Sequence, residues 1–82
     1  MEKTRRGVIV INQTGMKLHV YGVSYKNEWT DLGEIAIGAT PFIPSSRSSI
    51  KLVFEGDGGY RRMIQRDFSP NGEKVLKVPV TL

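Results

Sequence analysis

Hydrophobic and polar residues alternate along most of this chain with the two-residue period of a β-strand. In one segment Met16, Leu18 and Val20 fall on one side and Lys17 and His19 on the other. This pattern predicts a strand with one buried and one solvent-exposed face. Six segments show strand-like patterning and are separated by clusters of Gly, Pro, Asn, Asp and Ser. They are 6–11, 16–23, 29–37, 50–55, 60–68 and 73–82.

Three of these segments carry additional information about their place in a sheet. The segment 6–11 is apolar on both alternation faces, which is typical of a central strand covered on both sides. Gly33 interrupts the segment 29–37 and predicts a bulge. Pro79 lacks the amide hydrogen that a strand ladder uses, so we expect the last segment to be an edge strand at that point.

The connections predict the order of the strands. Residues 12–15 end in a glycine and favour a hairpin turn, whereas 56–59 and 69–72 join the last three segments into a meander. The longest irregular stretch, 38–49, is a candidate for a crossing between sheets or a mobile loop. The pattern therefore predicts a small antiparallel β-sandwich of about six strands in two groups of three, with a partly open β-barrel as the alternative.

Composition supports an all-β fold. Of the 32 apolar residues, 15 are Val or Ile and only two are Ala. β-branched side chains suit the pleated surface of a sheet better than a helix. A chain of 82 residues has room for one hydrophobic core, so we expect a single domain over 1–82, with 1–5 as a flexible N-terminus.

Charge and cysteine content narrow the partners without choosing one. The 12 Lys and Arg against 8 Asp and Glu give a net charge of +4, which permits attraction to phosphates or to acidic proteins. The chain has no cysteine and therefore neither disulfides nor thiolate metal sites. Its apolar runs are shorter than a signal-peptide core or a membrane span, so the expected location is cytoplasmic, with a trimmed fragment of a secreted protein as the alternative.

The residue pattern does not predict an enzyme. His19 is the sole histidine and lies on the wet face of its strand, while the carboxylates are scattered along the chain. A two-carboxylate mechanism or a metal site needs such groups held together in a cleft. The glycine-rich stretch 56–59 precedes a strand rather than a helix, which favours a hairpin turn over a phosphate loop. We therefore predict no catalytic residue, cofactor or metal.

Two groups of residues are candidates for contact with a partner. Tyr25, Trp29 and Phe42 lie at or near loops, and Arg47 lies in the irregular stretch. Large aromatic side chains at such positions cover the ends of a small core or anchor a protein partner, since Trp and Tyr are enriched among interface hot spots. These residues favour a protein-interaction module.

The second group combines basic and aromatic residues in the segment 60–68. Its members are Tyr60, Arg61, Arg62 and Arg66, with Phe68 at the end of the segment. Aromatic rings beside cations on a sheet are used by single-stranded nucleic-acid binders. The competing interpretation is that Phe68 belongs to the core and that the arginine stems flank it while their charged heads reach water.

The sequence therefore favours a non-enzymatic protein-interaction or structural module. It would present loops or an edge strand to a protein partner or to a second copy, and the segment 73–82 is the expected edge. Nucleic-acid binding through the 60–68 cluster is the alternative. An enzyme would require an oligomer that builds its site across chains.

Overall fold

The computed structural model describes residues 6–45, 47–68 and 74–82, which form seven strands in two sheets packed face to face. The strands are β1 (Gly7–Asn12), β2 (Leu18–Val23), β3 (Trp29–Ile35), β4 (Phe42–Pro44), β5 (Ser49–Glu55), β6 (Arg61–Asp67) and β7 (Val75–Val80). A single 3-10 turn, Asp57–Gly59, joins β5 to β6. The sheets do not close into a barrel, so the predicted β-sandwich is confirmed over its alternative.

One sheet contains three strands in the order β4-β1-β7, and the other contains four in the order β3-β2-β5-β6. The core lies between them and includes Val8, Val10, Leu18 and Phe54, each fully buried. Their alternation with wetter residues is the two-residue period that the sequence showed. The predicted central position of the first strand is confirmed, since β1 lies between β4 and β7.

The structure corrects several predicted connections. The segment 12–15 does not form a hairpin, because β1 and β2 belong to different sheets and the chain crosses between them. The last three segments are not a meander: β5 pairs with β6, but β7 joins the other sheet. The irregular stretch 38–49 contains β4, a three-residue strand that the sequence did not predict. Each sheet draws its strands from both halves of the chain, so the predicted division into two groups of three is wrong.

One strand pair departs from the antiparallel prediction. β1 and β7 run parallel, with Gly7 opposite Val75 and Asn12 opposite Val80. A parallel pair needs a long connection, and here nearly the whole chain lies between the two strands. The predicted edge position of the last strand is confirmed. The predicted turn at 69–72 and the N-terminal residues 1–5 lie outside the described residues.

A bulge in β3 changes the direction of its side chains. The register between β2 and β3 shifts after Val20, so that Gly33 pairs with Val20 and Asp31 pairs with Tyr21. Gly33 has φ +99°, a conformation that favours glycine. The bulge predicted from Gly33 is confirmed, and it allows Trp29 and Asp31 to share the outer face of the sheet with Tyr21.

Candidate functional site

The outer face of the four-stranded sheet, which points away from the core, carries a cluster of aromatic and charged side chains. We call this cluster the outer patch, and its members are His19, Tyr21, Trp29, Asp31, Glu55 and Arg61. The rings of His19 and Tyr21 are 4.7 Å apart, and those of Tyr21 and Trp29 are 5.5 Å apart. Arg61 extends across the sheet until its guanidinium carbon is 5.8 Å from the Trp29 ring centre. Arg61 belongs to β6 and Trp29 to β3, so the patch spans the whole sheet.

The outer patch buries one apolar residue. Val53 is fully buried although it faces away from the core and does not belong to the core cluster. Its cross-strand neighbours are Tyr21 and Met63. Because Arg61 reaches over towards Trp29 above this row, the long side chains of the patch shield Val53 from water.

Charges in the patch are paired locally. The His19 Nε2 atom is 2.7 Å from Asp31 Oδ1, and Arg61 Nη2 is 2.6 Å from Glu55 Oε2. Pairs with this much exposure contribute at most about 1 kcal/mol to stability. Their main consequence is that they hold the His19 and Arg61 side chains in place on the face of the sheet.

Two pKa values in the patch are shifted. The pKa of Asp31 is lowered from its ordinary value, first because the Gly33 backbone N–H donates a hydrogen bond to its carboxylate and then because His19 does so. The pKa of Tyr21 is raised, chiefly by burial and then by the negative charges of Glu55 and Asp31. At neutral pH the patch therefore contains an ionised Asp31 and a neutral Tyr21 phenol.

The predicted contact residues fall into separate places. Trp29 and Arg61 meet in the outer patch. Tyr25 and Arg47 meet at one end of the sandwich, where the Arg47 guanidinium carbon is 4.6 Å from the Tyr25 ring centre. Phe42 lies in β4 of the three-stranded sheet, where its ring is close to Gly7 of β1, and it contributes to neither place.

The segment chosen for nucleic-acid binding has its aromatic residues turned towards the core. Phe68 is buried at 5% exposure, and the Tyr60 hydroxyl donates a 2.9 Å hydrogen bond to the Thr81 carbonyl. Arg62 and Arg66 are exposed on the core-facing phase of β6, whereas Arg61 is on the outer face. The competing interpretation, in which Phe68 is core and arginines flank it, describes this arrangement. The Phe68 ring is thus not available for stacking with bases, and the half-buried Tyr60 ring packs against the core.

Contact roles were not predicted from the sequence for four members of the patch, His19, Tyr21, Asp31 and Glu55, nor for Met63 beside it. Tyr21 lies between His19 and Trp29 and is the central ring of the aromatic row. Met63 is 54% exposed beside Val53 and lies at the open edge of the sheet. The alternation of both segments placed these side chains on the outer face, and an apolar residue on a wet face was the available signal.

The edge of β6 carries a regular row of outward-facing backbone groups, and the Gln65 carbonyl among them accepts a hydrogen bond from Arg66 Nη1. Gly56 N–H donates to the Tyr60 carbonyl at 3.0 Å, and Phe68 N–H donates to the Ser48 carbonyl at 2.7 Å. Hydrogen-bonded and non-bonded pairs alternate along an antiparallel ladder, so even-numbered residues of β6 bond to β5. The odd-numbered ones, Arg61, Met63, Gln65 and Asp67, direct their N–H and C=O groups away from the sheet.

Prolines interrupt both edges of the three-stranded sheet. Gly7 N–H donates to the Lys74 carbonyl, which places the even-numbered residues of β7 against β1 and turns Pro79 outward. Ser45 N–H donates to the Arg6 carbonyl, and by the same alternation Pro44 of β4 turns outward. A proline has no N–H to offer an added strand, and such residues protect sheet edges.

The bulge interrupts the remaining edge, β3. Ser24 N–H donates to the Glu28 carbonyl, so Trp29 and Asp31 point their backbone groups outward. Immediately after them the register shifts and the Gly33 N–H is taken by the Asp31 side chain. Among the strands of the described chain, β6 alone keeps an outward N–H group at every second residue over its seven residues.

A third feature is a cleft at the end of the sandwich where Tyr25 and Arg47 meet. It has a volume of about 620 Å³ and opens between the β2–β3 turn, β4 and the start of β5. No group of three or more potential metal ligands occurs within 6–45, 47–68 and 74–82. Likewise, none of the helical structure in these ranges is long and apolar enough to cross a membrane.

Comparison with known proteins gives no family for this chain: no protein-family model matches it, and no curated protein resembles it closely enough to count as a match.

Proposed function

We propose that this domain is a protein-interaction module that binds an extended acidic segment of another protein as a fifth strand beside β6. The observation that carries the proposal is the row of outward N–H groups at Arg61, Met63, Gln65 and Asp67 on an edge strand. Strand addition to an open sheet edge gains affinity from main-chain hydrogen bonds and specificity from alternate side chains. The sequence favoured β7 as the edge, but β7 has outward N–H groups only at Val75 and Lys77 before Pro79.

The positive charges on the core-facing side of β6, which we call its inner side, favour a partner strand with acidic residues. Arg62 and Arg66 flank the buried Ile64 on that side, and both are exposed. Neither has a carboxylate within ion-pair distance among the described residues. A partner strand with acidic residues opposite these two positions would place each carboxylate beside a guanidinium.

Arg66 currently covers part of the edge. Its Nη1 donates a 2.9 Å hydrogen bond to the outward carbonyl of Gln65. An added strand would supply an N–H for that carbonyl, and the released guanidinium would pair with a carboxylate. This exchange replaces a bond from the guanidinium to a neutral carbonyl by an ion pair in which both partners are charged.

A second copy of the chain fits this edge less well than an acidic strand. Antiparallel pairing of two β6 strands about Ile64 would join Arg61 to Asp67, but it would also place Arg62 beside Arg66 twice. Like charges directly opposite each other destabilise a strand pair. The net charge of +4 on each chain adds to this repulsion.

The inner positions of the partner then have a definite pattern, with acidic residues four apart and an apolar residue between them opposite Ile64. An antiparallel peptide with this pattern, and with an apolar residue opposite Met63, is Thr-Glu-Thr-Val-Ile-Glu-Thr. Its charge-reversed control is Thr-Lys-Thr-Val-Ile-Lys-Thr. We expect the acidic peptide to shift the backbone amide resonances of β6 in a nuclear magnetic resonance titration and the control to leave them unchanged.

The variant Gln65→Pro removes one outward N–H and leaves the bonds to β5 in place, as Pro79 does on β7. A hydrogen bond is worth about 1 kcal/mol and 1.4 kcal/mol is tenfold in affinity, so we expect about five-fold weaker binding or worse. Gln65→Thr keeps the N–H and should bind as the parent does. Equal weakening by both variants, equal binding of both peptides, or shifts outside β6 would each overturn the proposal.

Two further outcomes would favour the competing functions. A dimer by light scattering at micromolar concentration, abolished by Gln65→Pro but not by Gln65→Thr, would make the edge a contact between copies. Binding of a labelled oligonucleotide that weakens steeply with salt, without peptide binding, would favour nucleic acid as the partner.

A further inference from the structure

The cleft at the end of the sandwich has an apolar floor. Ile43 and Leu52 from the two sheets are buried at its base, and Ile50 is half-buried beside them. Leu32 lines the same space and remains 44% exposed. A cleft of about 620 Å³ lies within the range that small-molecule sites occupy, roughly 300–1,000 Å³.

A glycine keeps the floor open. Gly22 faces inward opposite Leu52 and lines the cleft. A Cβ atom built there would lie 3.3 Å from Leu32 Cδ1. A larger side chain at this position would therefore fill the space between the floor and Leu32.

The rim of the cleft is cationic. The Arg47 guanidinium lies over the Tyr25 ring, and the ammonium of Lys26 is 5.7 Å from the same ring centre. Lys51 also lines the cleft, and no acidic residue is among the described residues that line it. Arg6 Nη1 donates to the Arg47 carbonyl at 2.9 Å, which helps to hold the backbone that carries the guanidinium.

We propose that this cleft binds a small aliphatic carboxylate, with the apolar chain between Leu32 and the floor of Ile43, Ile50 and Leu52, and with the carboxylate at Arg47. The apolar chain would cover Leu32, whose exposure is otherwise unfavourable, at about 25 cal/mol per Å² of apolar surface removed from water. The guanidinium accepts a carboxylate through two parallel hydrogen bonds. Gln65 of β6 also borders the cleft, but the carboxylate site at Arg47 uses no backbone group of the β6 edge and does not depend on the proposed partner.

Octanoate and octylammonium test the proposal because they share a chain and differ in the sign of the head group. We expect octanoate to shift the amide resonances of Gly22, Thr30 and Leu32 in a magnetic resonance titration, and octylammonium to leave them unchanged. Gly22→Val should abolish these shifts by filling the floor. Gly22→Ala, which adds one methyl group, should weaken them, and thermal melting of both variants checks that they fold.

The charge requirement is tested with a matched pair of variants. Arg47→Gln should weaken octanoate binding about three- to ten-fold, the range expected for a partly exposed charge-assisted bond. Arg62→Gln removes the same charge from β6 and should leave the affinity unchanged. Equal binding of the two probes, equal effects of the two variants, or the absence of cleft shifts at millimolar octanoate would overturn the proposal.

Discussion

Replacing Asn12 by alanine should destabilise this fold more than any exposed substitution, because its side chain connects three segments of the chain. Asn12 ends β1 and is only 2% exposed. Its Nδ2 donates to the carbonyls of Met16 at 2.9 Å and Ala36 at 3.1 Å. Its Oδ1 accepts from the Thr14 backbone N–H at 3.1 Å and from the Thr14 hydroxyl at 2.7 Å.

These contacts explain why the chain crosses between sheets at this point instead of forming the predicted hairpin. The Asn12 side-chain amide forms hydrogen bonds with Thr14 and Met16, which lie in the connection from β1 to β2. The same amide donates a hydrogen bond to the carbonyl of Ala36, just after the end of β3. Every buried side-chain nitrogen and oxygen among the described residues has a partner, so the network has no spare donor to replace Asn12.

The expected magnitude follows from counting the bonds that are lost. Four hydrogen bonds at about 0.5–1.5 kcal/mol each give about 2–6 kcal/mol, and the partners left buried add to the cost. We therefore expect Asn12→Ala to lower the free energy of unfolding by about 3–5 kcal/mol. A chain of 82 residues has a total stability of about 4–12 kcal/mol, so this loss leaves the domain marginal.

Thermal and urea unfolding followed by circular dichroism measure this change. Each kcal/mol shifts the melting temperature of a domain this size by about 4–8 °C, so a fall of at least about 12 °C is expected. Gln13→Ala, at the exposed neighbouring position, should change stability by less than about 0.5 kcal/mol. The double variant of Thr14→Val and Asn12→Ala should lose less stability than the sum of the two single variants, because both substitutions remove the same hydrogen bonds. A loss below about 1 kcal/mol for Asn12→Ala would show that packing, not this amide, holds the crossing.

Two further substitutions have directions fixed by the structure. Gly7→Ala should cost about 1–3 kcal/mol in urea unfolding, because its Cβ would lie 2.5 Å from the Ile43 carbonyl oxygen. Gly22→Ala should cost much less, since the atom it approaches is the side-chain end of the half-exposed Leu32, and equal costs would contradict this reasoning. The folded pKa of Asp31 is lowered, so its carboxylate stabilises the fold above the unfolded pKa and this contribution is lost as the pH falls through the folded pKa. Asp31→Asn should therefore reduce the loss of stability in acid, and a carboxyl titration midpoint at or above the ordinary value would contradict the prediction.

Local alternation predicted the strands whose two faces have different environments. β2 and β5 each bury one face against the other sheet, so Leu18, Leu52 and Phe54 are in phase with the core as expected. β4 was missed because three residues with a proline at the end are too few to show a period. The parallel pairing of β1 with β7 was not predicted, because the alternation within a strand indicates which of its faces is buried but does not indicate which other strand pairs with it.

The same limit applies to the candidate sites. Trp29 and Arg61 were chosen as separate contact residues, yet they meet because β2 and β5 place β3 and β6 within reach of two long side chains. Tyr60 turns inward in phase with the buried Ile64 and Phe68, as the two-residue alternation of the segment indicates. Pro79 did indicate an edge, and the same argument applied to Pro44 would have indicated a second one.

The outer patch makes the edge of β6 a better binding surface than an isolated strand would be. Ordering a long side chain at an interface costs about 0.5–1.5 kcal/mol. Arg61 is already held by two hydrogen bonds to Glu55 and by its position over the Trp29 ring. An added strand therefore meets an ordered residue on the outer side of β6, where little entropy remains to be lost. Arg62, on the inner side, has no such contact within the described chain. The entropy lost when its side chain is ordered must therefore be offset by an ion pair with a carboxylate of the partner. For this reason the inner side is the one that distinguishes acidic partners from others.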